Sequence, residues 1–185
     1  MTDSTISLAP TLLVSMPQLN DPNFKRSVVL LCEHSRQGAF GLVLNRPTHT
    51  PATSVVEFDE PLVHDSGLQF WTGGPVEPHR GWILLDEPPE DHESIRVWEG
   101  LYLSTSPLVL RRLLEAKGSG RARLLTGYAG WGSGQLDAEV AASAWLTAPI
   151  ELDLIFDIQA PIMWETAIRR LGADPAALQM SRGVH

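Results

Sequence analysis

LLTGYAGWGSGQLDAEVAASAW, residues 124–145, decides the reading of this chain: an apolar, strand-like run leads into glycines at 127, 130, 132 and 134, and a helix comes after them. Four glycines in so short a span carry a conformational-entropy cost, so the turn they form requires positive φ or close approach of backbone to backbone or to a ligand. A β-branched residue at Gly132 is therefore expected to break the turn. Ser133 or Gly134 caps the helix, Leu136, Val140 and Ala144 form its apolar stripe, and Asp137 lies in the first turn, where the helix dipole favours a carboxylate.

Downstream, IELDLIF at 150–156 alternates apolar and acidic residues and reads as a strand with one face toward water. Residues 161–171 are predicted as a helix with Trp164, Ala167, Ile168 and Leu171 on one face and Gly172 beyond its end. Upstream, Ser106 and Pro107 open a helix that carries Leu110, Leu113 and Leu114 on one face, pairs Arg111 with Glu115, and stops at Gly118. Before it come short strands at 12–15, 27–33, 39–44, 70–72, 81–85, 95–97 and 101–104. Asp21-Pro22 caps a single helical turn, and the polar segment 34–38 joins two strands as a hairpin with a longer loop. Asn45-Arg46-Pro47 ends the second of these strands, and a short helix is expected near 52–58. Gly73-Gly74-Pro75 and Pro88-Pro89 punctuate the middle of the chain, and DEPPEDHE at 86–93 is a solvated acidic loop. Strands that precede, accompany and succeed the helices without a βα rhythm indicate an α+β fold rather than a doubly wound one.

The 185 residues fit one domain, 1–185, and 43% hydrophobic with 19% charged residues describes a soluble globular chain. No apolar run approaches the roughly 20 residues of a membrane-spanning helix. The start of the chain, with Asp3, no basic cluster and only 12–14 as an apolar core, does not read as a secretory signal, so a cytoplasmic location is expected. Cys32 stands alone, which excludes an internal disulfide. A net charge of −8 opposes the electrostatic attraction that supplies most non-specific DNA affinity. Arg111, Arg112 and Lys117 read as the polar side of one helix, and Arg121 and Arg123 as one side of a strand, so these cations are expected to face solvent.

The chemistry-bearing motifs fall short of the familiar ones. Gly134-Gln135-Leu136 lacks the Lys-Ser/Thr of a P-loop, G-x-G-x-G at 130–134 is not the dinucleotide fingerprint, and Ser133 lacks the flanking glycines of a nucleophile elbow. Six histidines without H-x-H or H-E-x-x-H spacing give no metal site, and no cofactor is implied. Cys32, late in an apolar strand, reads as a small buried hydrophobe. Three unusual corners remain as candidate ligand-binding positions: Asn45 and Arg46, Gly73 and Gly74, and Gly130, Trp131, Gly132 and Gln135. They form one site only if their strand ends converge.

MPQLNDPNFKRSVVLLCEH at 16–34, GAFGLVLNRP at 38–47, GGPVEPHRGWILL at 73–85 and GYAGWGSGQLDAEV at 127–140 together resemble the bacterial YqgE/AlgH family over most of the chain. The resemblance implies a single compact α+β domain with a bifurcated, partly barrel-like β-sheet surrounded by helices. It also implies a transcriptional-regulator label, for which the residues offer no helix-turn-helix, and it supplies no catalytic residues. Trp82 and the loop at 86–93 depart from the family's pattern. Two function classes remain: a non-enzymatic protein acting through a protein partner, without direct DNA or membrane binding, or an enzyme or sensor of a small molecule or anion built on the three corners.

Overall fold

Uninterrupted apolar runs form the central strands, because a strand covered on both faces has no polar alternation. In the computed structural model, which describes residues 6–116 and 121–180, β1 (Thr11–Ser15) pairs antiparallel with β2 (Val28–Ser35), and β2 with β3 (Gly38–Val43). Leu12, Val14, Val28 and Leu30 pack on one side of this sheet with Met163, Trp164 and Ile168. Leu13, Val29, Leu31 and Val43 pack on the other with Trp131, Leu136 and Trp145. The loop expected over 34–38 is shorter than read: His34 and Ser35 go on pairing with Ala39 and Gly38, which leaves Arg36-Gln37 as a two-residue turn.

β9 (Ala122–Trp131) organises the remainder, with β5 (Gln69–Thr72) and β6 (Val76–Leu85) beside it. One of its edges pairs antiparallel with β6. The other pairs in parallel with β5 at Leu124, Leu125 and Thr126, then antiparallel with β3 at Ala129, Gly130 and Trp131, so the sheet forks between Thr126 and Ala129. β5 and β6 flank opposite edges of β9, yet only Gly73-Gly74-Pro75 joins them, so this connection crosses the backbone of β9. It does so at Gly127, where an added Cβ would lie 2.3 Å from the Gly74 carbonyl oxygen. Gly127 and Gly74 have φ of 73° and 153°. The expected loop at 127–134 is thus strand as far as Trp131, and Gly132 is not left-handed, with only Gln135 Oε1, 3.9 Å away, near its added Cβ. The constraint belongs to Gly127 and Gly74 rather than to Gly132.

β8 (Leu101–Ser104) and β7 (Ile95–Trp98) extend the sheet beyond β6, β10 (Trp145–Ala148) extends it beyond β1, and β4 (Pro47–Pro51) pairs with β5. The path β10-β1-β2-β3-β9-β6-β8-β7 curls into a half-barrel, giving the α+β domain with a forked, partly barrel-like sheet. Among the described residues five α-helices surround it: α1 (Pro107–Glu115), α2 (Gln135–Ala141), α3 (Leu152–Phe156), α4 (Ala160–Arg170) and α5 (Pro175–Met180). α3 replaces the strand expected at 150–156: it buries the adjacent pair Leu154 and Ile155, and Arg170 binds Glu151 and Asp153 from α4. The helix expected near 52–58 reduces to one 3-10 turn, Ala52–Ser54. Ala144 lies beyond α2 and accepts a bond from Met16 N–H, and the expected stop at Gly118 lies outside the described residues. No helix among the described residues is long and apolar enough to cross a membrane.

Arg123 corrects the expectation of a solvated face. It is buried, donates from Nη1 to Leu44 O at 2.9 Å, and lies over the Trp71 ring at 3.8 Å. Burial lowers its pKa to about 10.

Candidate functional site

The curl of the sheet brings β2, β3, β6, β7, β8 and β9 around one cleft of about 520 Å³, inside the usual size range of small-molecule sites. Phe40, Trp82 and Tyr128 line it, with ring centroids 4.9 Å (Phe40–Trp82), 5.1 Å (Phe40–Tyr128) and 6.2 Å (Trp82–Tyr128) apart. The Arg80 guanidinium covers the Trp82 ring at 4.6 Å and pairs with Glu77 at 3.3 Å. Burial, and then the neighbouring Glu77 carboxylate, push the Tyr128 phenol above its ordinary range. Trp82 is 8% exposed, and its indole Nε1–H is a buried side-chain donor without a hydrogen-bond partner among the described residues. Such an orphan costs about 1–3 kcal/mol. Glu33, Glu93 and Arg96 also line the cleft, and none of the three side chains makes an ion pair among the described residues.

Cys32 reaches the same cleft from β2. Burial, reinforced by Glu33, pushes its thiol up to about 12, so it stands there as a neutral, weakly polar group rather than a nucleophile.

Two of the three sequence-predicted corners lie side by side, Thr72 N–H donating to Arg46 O at 2.8 Å next to Gly73, but the side chains of the three engage different partners. Asn45 is a clip: its Oδ1 accepts from Val28 N–H at 3.1 Å and its Nδ2 donates to Arg26 O at 2.9 Å. Arg46 donates to Lys25 O and, with Arg26 and Trp164, lines a smaller pocket of about 220 Å³ at the start of α4. Desolvation lowers the Arg46 pKa, and Arg26 lies over Trp164 at 5.0 Å. Gly73 closes the fork in the sheet, donating to Thr126 O and accepting from Val43 N–H, each at 2.7 Å, while Gly74 makes the crossing. Gly130 pairs with Phe40, close behind Tyr128. Trp131, Gly132 and Gln135 gather around α2: Trp131 Nε1 donates to Glu139 Oε2 at 2.9 Å, Gln135 Nε2 to Glu139 Oε1 at 3.0 Å, and Gly132 N–H to Gln135 Oε1 at 3.0 Å.

The corner at Trp131, Gly132 and Gln135 is thus apart from the one at Asn45 and Arg46, whose pocket it does not line. Ala39 pairs with Trp131 at one end of β3, and Arg46 lies beyond its other end. Seven residues of extended chain separate Ala39 from Arg46, about 23 Å. The cleft residues Phe40, Arg80, Trp82 and Tyr128 were not legible in the sequence, because they are spread over β3, β6 and β9 and only the curl unites them. The available signal was the aromatic residue within GWILL and within GYAG.

A family model described as AlgH-like matches residues 12–176. A UPF0301 protein of Anaeromyxobacter dehalogenans is 40% identical over 190 residues, covering 98% of this chain and 96% of the relative. A UPF0301 protein of Myxococcus xanthus is 41% identical over 182 residues, covering 97% and 99%. Among solved structures, the AlgH protein of Pseudomonas aeruginosa in solution matches with a TM-score of 0.78 at 33% identity, over 100% of this chain and 99% of that one. A crystal structure of a Corynebacterium diphtheriae protein matches with a TM-score of 0.68 at 22% identity, over 91% and 89%, a likeness of fold.

Proposed function

The chain belongs to the AlgH-like family, and we propose that it works as a binding protein that seats a small organic molecule in the half-barrel cleft over Phe40, Trp82 and Tyr128. The observation that carries this reading is the cleft itself, about 520 Å³ and walled by the mutually contacting rings of Phe40, Trp82 and Tyr128. The aromatic neighbours supply the apolar contact area that such sites use, and the rim charges supply orientation. Binding without catalysis fits the protonated Cys32 thiol.

In this reading any influence on transcription passes through a protein partner that responds to the occupied cleft. Direct DNA contact is disfavoured by the net charge of −8 and by the internal engagement of Arg111, Arg112, Arg121, Arg123 and Arg170. An anion site at Arg46 is a second reading, favoured by one observation: Arg26 and Arg46 share a pocket, and neither pairs with a carboxylate among the described residues.

The test is a thermal-shift screen of small molecules against the parent and Trp82→Phe, with Arg46→Ala in parallel. A compound that raises the parent Tm, and raises it much less in Trp82→Phe, is the expected result. Shifts that vanish only in Arg46→Ala favour the second reading, and the absence of any shift rejects both.

A further inference from the structure

Resting on the cleft reading above, we infer that the cleft takes a zwitterion, namely a free α-amino acid with an apolar or aromatic side chain. The rim carries both signs: Arg80 and Arg96 against Glu33 and Glu93. Arg80 is already shared between Glu77 and the Trp82 ring, whereas Arg96, Glu33 and Glu93 make no ion pair among the described residues. A simple anion would pair with Arg96 but meet two carboxylates, and a simple cation would face the reverse conflict. A molecule bearing both charges satisfies both sets, and like-charge juxtaposition penalises its singly charged analogues.

The remaining groups fit the remaining parts of such a ligand. Phe40, Tyr128, Val97 and Leu103 give the side chain an apolar and aromatic surface. The volume of about 520 Å³ leaves room for one amino acid with ordered water.

Isothermal titration of the full chain at neutral pH with L-phenylalanine, N-acetyl-L-phenylalanine, phenethylamine and the dipeptide Leu-Leu tests this. The free amino acid is expected to bind saturably, and each singly charged analogue at least about tenfold more weakly. Arg96→Ala is expected to weaken phenylalanine while strengthening phenethylamine, and Glu33→Gln with Glu93→Gln to weaken phenylalanine while strengthening the N-acetyl compound. A singly charged analogue that binds as tightly as phenylalanine, with its binding lost in Trp82→Phe, overturns the zwitterion but leaves the cleft reading standing. Tighter binding of the dipeptide overturns the free amino acid in favour of a peptide. Absence of binding by all four overturns the inference, and the wider screen then decides the cleft reading separately.

Discussion

Gly74 and Gly127 touch so closely that a methyl group on Gly127 would sit 2.3 Å from the Gly74 carbonyl oxygen, and one on Gly74 would sit 2.1 Å from the Tyr128 carbonyl carbon. Both contacts are with backbone, which no rotamer change relieves. Gly127→Ala and Gly74→Ala are each expected to lose about 3 kcal/mol or more, through overlap and left-handed φ together. Gly132→Val, with open space around its added side chain, is expected to change stability by about 1 kcal/mol or less. Urea melts of the three variants check the order, and equal losses at 127 and 132 contradict the crossing.

Glu139 serves two buried tryptophans with one oxygen, Oε2 accepting from Trp131 Nε1 at 2.9 Å and from Trp145 Nε1 at 2.8 Å. Glu139→Ala strands both donors, so a loss of about 2–4 kcal/mol is expected, with altered near-ultraviolet dichroism from the indoles. Glu139→Gln keeps one acceptor oxygen and is expected to lose less. A neutral Glu139→Ala refutes the shared bond.

The sequence made the local elements legible wherever caps and apolar faces agree. Pro107 after Ser106 starts α1, and 101–104 is the strand expected. Residues 150–156 misled because alternation over so few positions is compatible with one helical turn that buries Leu154 and Ile155 side by side. Arg123 misled because a single cation in an otherwise apolar strand is silent about the Leu44 carbonyl and Trp71 ring that receive it. The fork was out of reach for the same reason as the cleft: Gly74 meets Gly127 across some fifty residues of chain, and local patterns carry no record of such contacts.

The Cys32 thiol, pushed up to about 12 by burial, is expected to resist alkylation. At about pH 8 only roughly one part in ten thousand is thiolate, so labelling of the native chain runs at least about a hundredfold slower than in denaturant. Because the folded value lies above the unfolded one, the neutral thiol's contribution to stability is complete below about pH 9 and is lost as pH rises toward 12. Native labelling at the denatured rate contradicts the assignment.

Arg170 ties α4 to α3 through a two-pronged contact with Asp153, at 3.0 and 2.6 Å, and holds that carboxyl below its ordinary range. A depressed carboxylate stabilises above its unfolded pKa, near 3.9, and that contribution disappears as pH falls through the folded value. Arg170→Gln is therefore expected to melt slightly earlier than the parent at neutral pH, by less than about 1 kcal/mol because the pair is solvent-screened. The two melting curves converge below about pH 4. A difference that persists in acid assigns the effect to packing instead.

Trp82→Phe separates a cleft-lining tryptophan with an unpaired donor from a tryptophan bonded into the core. Trp82 and Trp131 are both buried on the sheet, at 8% and 6% exposure, but Trp131 Nε1 is bonded to Glu139 whereas Trp82 Nε1 is bonded to nothing among the described residues. Replacing Trp82 removes an unpaired donor worth about 1–3 kcal/mol of desolvation cost, which offsets much of the packing lost with the smaller ring. The stability of Trp82→Phe is thus expected to lie within about 1 kcal/mol of the parent, while Trp131→Phe loses its ring contacts and leaves Glu139 short of a donor, and so falls further. Paired urea titrations, with ligand titrations on the same variants, give the decisive pattern: Trp82→Phe retains stability and loses binding, and Trp131→Phe loses stability and keeps whatever binding its folded fraction allows. Equal destabilisation by the two substitutions means that the Trp82 donor is satisfied in the folded protein.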